Sequence, residues 1–290
     1  MGIENLMDTS RIKWINSPGP DSDIVISSRV RFARNLSNVP FPHLLSDKES
    51  KTIVDDVYST LKDNPVFSRD IELYNMNELT AEQKTMLSEM HLISLDLANS
   101  KNGAVIVNQD ETVSIMINEE DHLRIQMMLS GLQLDEALKQ IDKIDDLLEQ
   151  NLDFAFDEKI GYLTACPTNV GTGMRASVMM HLPALTMMDK IGQIFSTISQ
   201  VGLVVRGIYG EGSQARGNLY QISNQITLGK SEEDIIQNVV SVARQIIMSE
   251  RKTRQNLSGE AKIRLEDKIL RSYGILTNAK LVSSQEALSY

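Results

Sequence analysis

Two polar segments, residues 118–124 (NEEDHLR) and 166–175 (CPTNVGTGMR), each follow a stretch with the pattern of a β-strand. Each segment places carboxylates, a thiol or an arginine where a strand gives way to a turn, and reacting groups tend to lie at such scaffold-held positions. Carboxylates suit a cationic ligand, and arginines suit a polyanion. We therefore expect a sheet-based fold that holds one cation and one polyanion at its strand ends.

The apolar periodicity predicts an α+β domain around a largely antiparallel sheet flanked by helices. Period-two alternation indicates strands, and apolar residues spaced three and four apart indicate helices. Strands are predicted at residues 24–31, 104–108, 112–117, 160–165, 175–182, 203–209 and 219–222. Helices are predicted at residues 47–61, 80–97, 118–130, 134–151, 187–201 and 232–254.

The helix predicted at residues 118–130 rests on its acidic beginning. Asn118 fits an N-cap, and Glu119, Glu120 and Asp121 would follow in a first turn whose dipole favours carboxylates. On such a helix Glu120 and Arg124 share one face. Either they form an ion pair worth about 0.3–0.5 kcal/mol, or Arg124 faces a phosphate while Glu120 faces a cationic substrate.

Changes in composition divide the chain into three parts. Residues 1–22 read as a loose lead-in that contains Pro18-Gly19-Pro20, and residues 23–255 form the α+β domain. Residues 256–290 are helical and polar. A helix start capped by Ser283 or Ser284 lies close to the last residue, so we expect this helical region to be incomplete.

Composition also excludes several classes of protein. The formal charge of −10 argues against direct nucleic-acid binding, which needs a basic face. No segment approaches the roughly 18 apolar residues of a membrane span. The single cysteine precludes an internal disulfide and fits a reducing cytosol, so we expect a cytoplasmic protein. The four histidines lack the spacing of a zinc site, and no metal bound by protein side chains is expected.

Arg29 and Arg31 lie two residues apart on the first predicted strand. Their side chains would point to the same face, roughly 6.5–7 Å apart along the strand. This separation matches two neighbouring phosphates. The alternative is a pair of exposed arginines on a strand edge, where charge discourages aggregation.

Cys166 follows a predicted strand and precedes a loop that contains Gly171 and Gly173. The glycines permit tight turning and a close approach of backbone N–H groups to an anion. Thr168 could donate a hydrogen bond to a thiolate, and Arg175 could lower its pKa. The alternative is a small buried apolar residue, and a covalent nucleophile is not expected because no histidine stands in an activating position.

Residues 206–213 end a β-rich stretch in a loop with three glycines. Such a loop can close over a ligand and carry Arg206 and Glu211 with it. Residues 210–215 also fit the dinucleotide pattern GxGxx(G/A), but that pattern needs a helix directly after it. Here a predicted strand at 219–222 follows, so we reject a Rossmann site.

Together, residues 24–34, 113–126, 161–183 and 206–229 resemble the guanidino (phosphagen) kinase superfamily, which includes creatine and arginine kinases. Within it they resemble the bacterial protein-arginine kinases of the McsB type, and the two motifs named first are highly specific. The resemblance implies a glutamine-synthetase/guanidino-kinase catalytic-domain fold. It also implies transfer of the γ-phosphoryl group of ATP, with Mg²⁺, to the guanidinium of arginine side chains in proteins.

The resemblance also implies roles for individual residues. Glu120 falls on the carboxylate that grips the guanidinium and acts as base, and Glu211 falls on a second carboxylate on the mobile loop. Cys166 falls on the reactive cysteine that orients the guanidinium. The nucleotide phosphates would be clamped by Arg29, Arg31, Arg124, Arg175 and Arg206, with Ser27 in the same site.

Two departures from the superfamily shape the expectations. Creatine and arginine kinases carry a helical domain before the segment that holds Arg29 and Arg31, and without it the pocket would admit a side chain of a protein. McsB-type chains also continue into a helical domain tied to dimerisation and phosphoarginine binding. The resemblance further implies a zinc-binding activator, a Clp ATPase, a heat-shock repressor as substrate and a homodimer. A kinase for free arginine or another small guanidino compound, and a non-catalytic regulatory relative, stay open as alternatives.

Overall fold

The computed structural model describes residues 12–62, 64, 71–206 and 217–290. Ten strands lie in this part of the chain. They are β1 (Val25–Arg34), β2 (Ile71–Asn75), β3 (Ala104–Asn108), β4 (Val113–Ile117), β5 (Leu123–Ser130), β6 (Phe156–Asp157), β7 (Gly161–Tyr162), β8 (Met174–His181), β9 (Leu203–Arg206) and β10 (Leu219–Asn224). Eight of them form one antiparallel sheet in the order β2-β3-β4-β5-β1-β8-β10-β9, and β6 pairs with β7. The predicted α+β class is confirmed.

The helices flank this sheet, and several begin at the side-chain caps that the sequence supplies. Thr80, Ser231 and Ser283 each accept a hydrogen bond from a backbone N–H in the first turn, which satisfies a donor that the helix leaves unpaired. The helices are α1 (Lys13–Asn16), α2 (Asp47–Lys62), α3 (Ala81–Glu89), α4 (Leu95–Asn99), α5 (Leu134–Glu149), α6 (Pro183–Met187), α7 (Ile191–Gln200), α8 (Glu232–Gln255), α9 (Gly259–Asn278) and α10 (Ser284–Ser289).

The two faces of the sheet differ. Helices α2, α5 and α8 pack on one face through a large apolar core that includes Phe32 of β1 and Val178 of β8. On the other face, α1, α3 and α4 cover only the β3-β4-β5 side, around Trp14, Leu87 and Val105. The rest of this second face carries polar and charged side chains, and the floor of the candidate site lies there.

One predicted element is wrong: residues 118–130 form a turn followed by β5, not a helix. Asn118 has a left-handed φ of 56°, and its N–H donates to the carbonyl of His122. Strand β5 is buried on both faces, with Ile125 in one apolar cluster and Met128 in the other. The helix was predicted from the acidic residues that precede β5, and a strand buried on both faces lacks the polar alternation that would have indicated a strand.

Two other predicted helices are interrupted by left-handed residues. The helix at 80–97 divides into α3 and α4, with His91 at φ 59°, and the helix at 187–201 is only α7, preceded by Asp189 at φ 53°. Both breaks let the chain turn while apolar side chains on each side stay in the core. Periodicity alone does not reveal them.

Further corrections concern strand lengths and the lead-in. The first strand extends to Arg34, and only Gly161–Tyr162 of the stretch 160–165 is a strand. Of the strand expected at 203–209, Leu203–Arg206 forms β9, and residues 207–209 lie outside the described residues. Strand β2 was not predicted. The lead-in is not loose throughout, because α1 buries Trp14. None of the helices described could cross a lipid bilayer.

Candidate active site

A cavity of about 990 Å³ lies over the polar face of the sheet. Arginines from three strands line it: Arg29 and Arg31 on β1, Arg175 on β8 and Arg206 on β9. Period-two alternation puts the first two on one face, and the register puts Arg31 opposite Arg175. Strand order, rather than closeness in sequence, therefore assembles four cationic side chains around one space.

The two arginines of β1 lie among other positive charges. Neither Arg29 nor Arg31 forms an ion pair within the described part of the chain. Burial, and then the neighbouring charges of Arg124 and Arg175, lower the pKa of Arg29 to about 10. Burial, and then the charges of Arg29, Arg124 and Arg175, lower the pKa of Arg31, and Glu119 opposes this in part. Because a guanidinium stays protonated in proteins, a bound anion would offset the cost of burying these like charges together.

Arg124, at the start of β5, holds two glutamates of the preceding turn. Its Nη1 lies 2.5 Å from Oε2 of Glu119, and its Nη2 lies 3.3 Å from Oε2 of Glu120. The side chain of Glu119 is almost fully buried, whereas that of Glu120 is 46% exposed. Glu119 therefore neutralises Arg124, and Glu120 remains accessible to a cation from outside.

The pKa of Glu120 is raised above its usual value. Partial burial is the main cause, and the negative charge of Asp121 is the next. Arg124 lowers the pKa in part, while Glu119 and Asp96 raise it further. A carboxylate with a raised pKa, in contact with solvent and beside Arg124, is suited to accepting a proton.

Cys166 begins a loop that is fixed by hydrogen bonds. Its Sγ lies 3.0 Å from Oγ1 of Thr168, the contact that the sequence suggested. The hydroxyl of Thr227 donates to the carbonyls of Thr168 and Val170, at 3.0 and 2.7 Å. A Cβ at Gly173, where φ is +64°, would lie 2.6 Å from the carbonyl oxygen of Ala33. Glycine at this position therefore permits the close approach of the loop to β1.

Glu120, Arg124 and Cys166 are not among the described residues that line the cavity. Two further predicted site residues, Ser27 and Glu211, are also not among them. Ser27 is on the same face of β1 as the two arginines by alternation, but it is buried and is not part of the cavity wall. Glu211 lies outside the described residues, so its expected convergence with Glu120 stays a prediction.

Sequence reasoning missed two residues of the candidate site, Glu119 beside Arg124 and His91 in the cavity wall. Glu119 was indistinguishable from its acidic neighbours, and only the direction of its side chain shows that it is the main partner of Arg124. His91 lines the cavity, and its ring centroid lies 6.0 Å from that of Trp14. Burial, and then the charge of Arg29, lower the pKa of His91 to about 4, so the imidazole is neutral. No sequence signal distinguished this histidine within a helical pattern.

The donor set also bears on the metal that the resemblance implies. The described residues contain no group of three or more His, Cys, Asp or Glu side chains that could hold a metal ion. Mg²⁺ usually keeps several waters and binds through substrate phosphates with few protein ligands.

A sequence profile described as "ATP:guanido phosphotransferase, C-terminal catalytic domain" matches residues 52–253. The chain belongs to this family. Two curated relatives, each named protein-arginine kinase, align with nearly the whole of this chain. The one from Halalkalibacterium halodurans is 52% identical over 288 residues, which are 99% of this chain and 81% of the relative. The one from Geobacillus sp. is 52% identical over 290 residues, 99% of this chain and 80% of the relative.

Solved structures of the family share the fold. Lombricine kinase superposes with a TM-score of 0.70 at 26% identity, over 82% of this chain and 69% of that one. The duplicated taurocyamine kinase of Schistosoma mansoni, with bound transition-state-analogue components, gives 0.71 at 23% identity, over 90% of this chain and 37% of that one. An ATP:guanido phosphotransferase of this kind is an ATP-dependent enzyme that phosphorylates a guanidino group.

Proposed function

We propose that this chain transfers the γ-phosphoryl group of ATP to the guanidinium of arginine side chains in proteins. The observation that carries the proposal is the cavity in which arginines of β1, β8 and β9 meet, next to Arg124 and the half-exposed Glu120. Arginine forks suit a polyphosphate, and a carboxylate suits a guanidinium. The name that the two curated relatives share supports a protein as the acceptor.

On the nucleotide side, phosphoryl transfer depends mainly on positioning and on neutralising charge, because the transition state is loose. We assign the five arginines to the phosphates, with Ser27 in the same site. Mg²⁺ on the nucleotide oxygens would supply further positive charge without a protein cluster to hold it. The five arginines are Arg29, Arg31, Arg124, Arg175 and Arg206.

On the acceptor side, formed by Glu120 and Cys166, the difficulty is the nucleophile. A protonated guanidinium has no free lone pair. We assign Glu120 to aligning it and to accepting its proton as the nitrogen–phosphorus bond forms and the bond to the departing ADP breaks. We assign Glu211 to the second carboxylate and Cys166 to orienting the guanidinium.

The same proposal includes the acceptor proteins, the partners and the cellular location. By resemblance we expect a heat-shock repressor and proteins destined for a Clp protease among the acceptors. We also expect a zinc-binding activator, a Clp ATPase and a second copy of the chain as partners. The single cysteine fits a reducing cytosol as the setting.

The decisive experiment compares the wild type with Glu120→Gln on an arginine-rich protein and ATP, with acid-labile phosphate on arginine measured by mass spectrometry. We expect the wild type to phosphorylate the protein. Glu120→Gln should lose about 10²–10⁴-fold in kcat, the typical contribution of a general base, while ATP still binds. Glu136→Gln, an exposed glutamate on α5, is the matched control and should keep full activity.

Three outcomes separate the proposal from its rivals. Phosphorylation of free arginine in preference to the protein would assign a small-molecule acceptor, as in the lombricine kinase that shares the fold. No phosphorylation of either acceptor would indicate a regulatory relative. Full activity of Glu120→Gln would contradict the assignment of the base.

A further inference from the structure

One buried carboxylate, that of Asp121, joins the turn that carries Glu120 to the loop that carries Cys166. The Oδ1 of Asp121 accepts a hydrogen bond from Nδ2 of Asn35 at 2.6 Å and another from the backbone N–H of Ala165 at 2.7 Å. Asp121 directly follows Glu120, and Ala165 directly precedes Cys166. The contact therefore connects the two acceptor-side residues with only one peptide unit at each end.

Asn35 fixes the direction of this carboxylate. It follows the last residue of β1, and it is almost fully buried, as is Asp121. Its Nδ2 also donates to the carbonyl of Leu163 at 3.0 Å, and its Oδ1 accepts from the backbone N–H of His122 at 2.9 Å. Because every polar atom of the amide group is engaged, neither Asn35 nor Asp121 can turn without breaking several hydrogen bonds.

The other end of the Cys166 loop is held separately. Nη1 of the buried Arg34 donates to the carbonyl of Thr172 at 2.9 Å, and Arg34 is itself paired with Asp145 at 2.7 Å. Asp121 therefore controls the end of the loop where the thiol is. Arg34 controls the end that leads into β8.

The two hydrogen bonds that Asp121 accepts do not by themselves require a charged side chain. Within the described residues no cation lies at ion-pair distance from it, and its Oδ2 makes no hydrogen bond. Burying an unpaired charge is costly, and a neutral amide oxygen could accept the same two bonds. The negative charge has a second effect, because it raises the pKa of the neighbouring Glu120.

We propose that Asp121 is a positioning residue for the transfer reaction, which fixes the Cys166 thiol relative to the Glu120 carboxylate through its bonds to Asn35 and Ala165. This inference rests on the proposed function. A misplacement of about 1 Å at a reacting centre can cost on the order of 100-fold in rate. Four of the five arginines assigned to the phosphates lie on β1, β8 and β9, and only Arg124 adjoins this turn, so the effect should fall mainly on kcat and little on the binding of ATP.

The test uses Asp121→Ala and Asn35→Ala, which remove the connection, and Asp121→Asn, which removes only the charge. We measure kcat and the KM for ATP on an arginine-rich protein. We also measure the rate at which iodoacetamide alkylates the protein. Because Cys166 is the single cysteine, alkylation reports on that thiol alone, and Cys166→Ser gives the background.

The two alanine variants should lose on the order of 100-fold in kcat, with the KM for ATP near that of the wild type. Their alkylation rate should also differ from the wild type, because the loop is no longer fixed beside Cys166. Asp121→Asn should keep the alkylation rate. The acid side of its pH–rate profile should move to lower pH, since Glu120 loses a negative neighbour.

Glu250→Gln is the matched control. Glu250 is also a buried carboxylate, and it accepts the backbone N–H groups of Ala184 and Leu185 at 3.0 and 2.9 Å, but it is not part of the cavity. This variant should lower the melting temperature and leave kcat and alkylation unchanged. If Glu250→Gln changes them as much as Asp121→Ala does, the effect is general destabilisation and the inference is wrong.

Folded alanine variants with the kcat and alkylation rate of the wild type would overturn the inference. If neither alanine variant folds, Asp121→Glu decides, because it keeps the charge but moves the carboxylate by one methylene group. A wild-type kcat and alkylation rate in that variant would then overturn the inference. The outcome is separable from that of the proposed function. The alkylation measurement needs no acceptor, and Glu120→Gln tests the base independently of Asp121.

Discussion

Glu120 keeps a raised pKa although it touches an arginine. Arg124 is shared, and its shorter contact, 2.5 Å, goes to the buried Glu119, whereas the contact to Glu120 is 3.3 Å. One shared cation does not offset partial burial together with the charges of Asp121, Glu119 and Asp96. The two glutamates of the turn therefore differ in function: Glu119 neutralises Arg124, and Glu120 can accept a proton.

This difference predicts a pH dependence. If the ionised form of Glu120 is the base, activity is lost as pH falls through its pKa. Because that pKa is raised, kcat/KM should decline at a higher pH than for an ordinary glutamate with a pKa of about 4.3. Asp96→Asn should move the decline to lower pH, since the charge of Asp96 raises the pKa of Glu120.

The measurement is kcat/KM against pH for the wild type, Asp96→Asn and Asp189→Asn. Asp189 is exposed, lies between α6 and α7, and has a left-handed φ of 53° that asparagine also tolerates. It serves as the control for loss of one negative charge. A decline that moves to higher pH in Asp96→Asn, or that moves equally in the control, would contradict this account.

At the scale of elements, α5 and the start of α8 bring several acids together near one buried arginine. Burial raises the pKa of Glu232 to about 7 and that of Asp142 to about 6. The charge of Asp142 raises the pKa of Glu232 further, and the charges of Asp145 and Asp146 raise that of Asp142. Arg34 opposes both shifts, but it is already paired with Asp145. The contact between these helices is therefore favoured when Glu232 is protonated.

Glu232→Gln should consequently stabilise the protein at neutral and alkaline pH. In the wild type the pKa of Glu232 rises from 4.5 to about 7 on folding, so the stability it contributes is present below pH 4.5 and is lost as pH rises through about 7. Glutamine cannot ionise and should remove this part of the pH dependence. Melting temperatures measured from acid to alkaline pH test it.

Glu233→Gln is the neighbouring control at the same helix end. Glu233 is exposed, and its charge favours the positive end of the α8 dipole, so its loss should lower the melting temperature slightly or leave it unchanged. Equal stabilisation by both variants would indicate a general charge effect. It would not support a specific role for the burial of Glu232.

The elements also show which parts of the fold the sequence could predict. Strand β3 was located because its apolar run ends at a turn, and α8 because its periodicity is long and Ser231 caps it. Strand β5 was not predicted, because its burial on both faces removes the alternation of polar and apolar residues that identifies a strand. The breaks at His91 and Asp189 were missed because each depends on one left-handed residue.

For the whole molecule, the order of strands decides the site. Alternation predicted that Arg29 and Arg31 share a face, and both line the cavity. Arg175 and Arg206 join them because β8 lies beside β1 and β9 lies two strands beyond β8. Such long-range strand pairing cannot be predicted from local sequence patterns. The prediction that these arginines share one site therefore came from the family resemblance and not from periodicity.

Because the arginines of several strands face one another, ATP should stabilise the whole sheet. At 100 times its dissociation constant a ligand adds about 2.7 kcal/mol, and 1 kcal/mol shifts the melting temperature of a large domain by about 2–4 °C. We therefore expect a shift of about 5–11 °C with Mg²⁺ and ATP, smaller at high salt. Calorimetry measures it directly.

Arg31→Ala should lose most of this shift, since it removes a cation from the centre of the cavity floor. Arg251→Ala is the control, because Arg251 pairs with Asp21 and Asp23 at the surface and does not line the cavity. It should lower the melting temperature without ATP and keep the increment that ATP adds. An equal increment in Arg31→Ala would argue against phosphate binding by this arginine.

Trp14 is the single tryptophan of the chain, and its ring lies against His91 in the cavity wall. Indole emission responds to the polarity and mobility of what surrounds it. The intrinsic fluorescence of the unlabelled protein therefore originates beside the place where a nucleotide would enter. The molecule contains its own optical probe of occupancy, and a simple titration can be followed without attaching a dye.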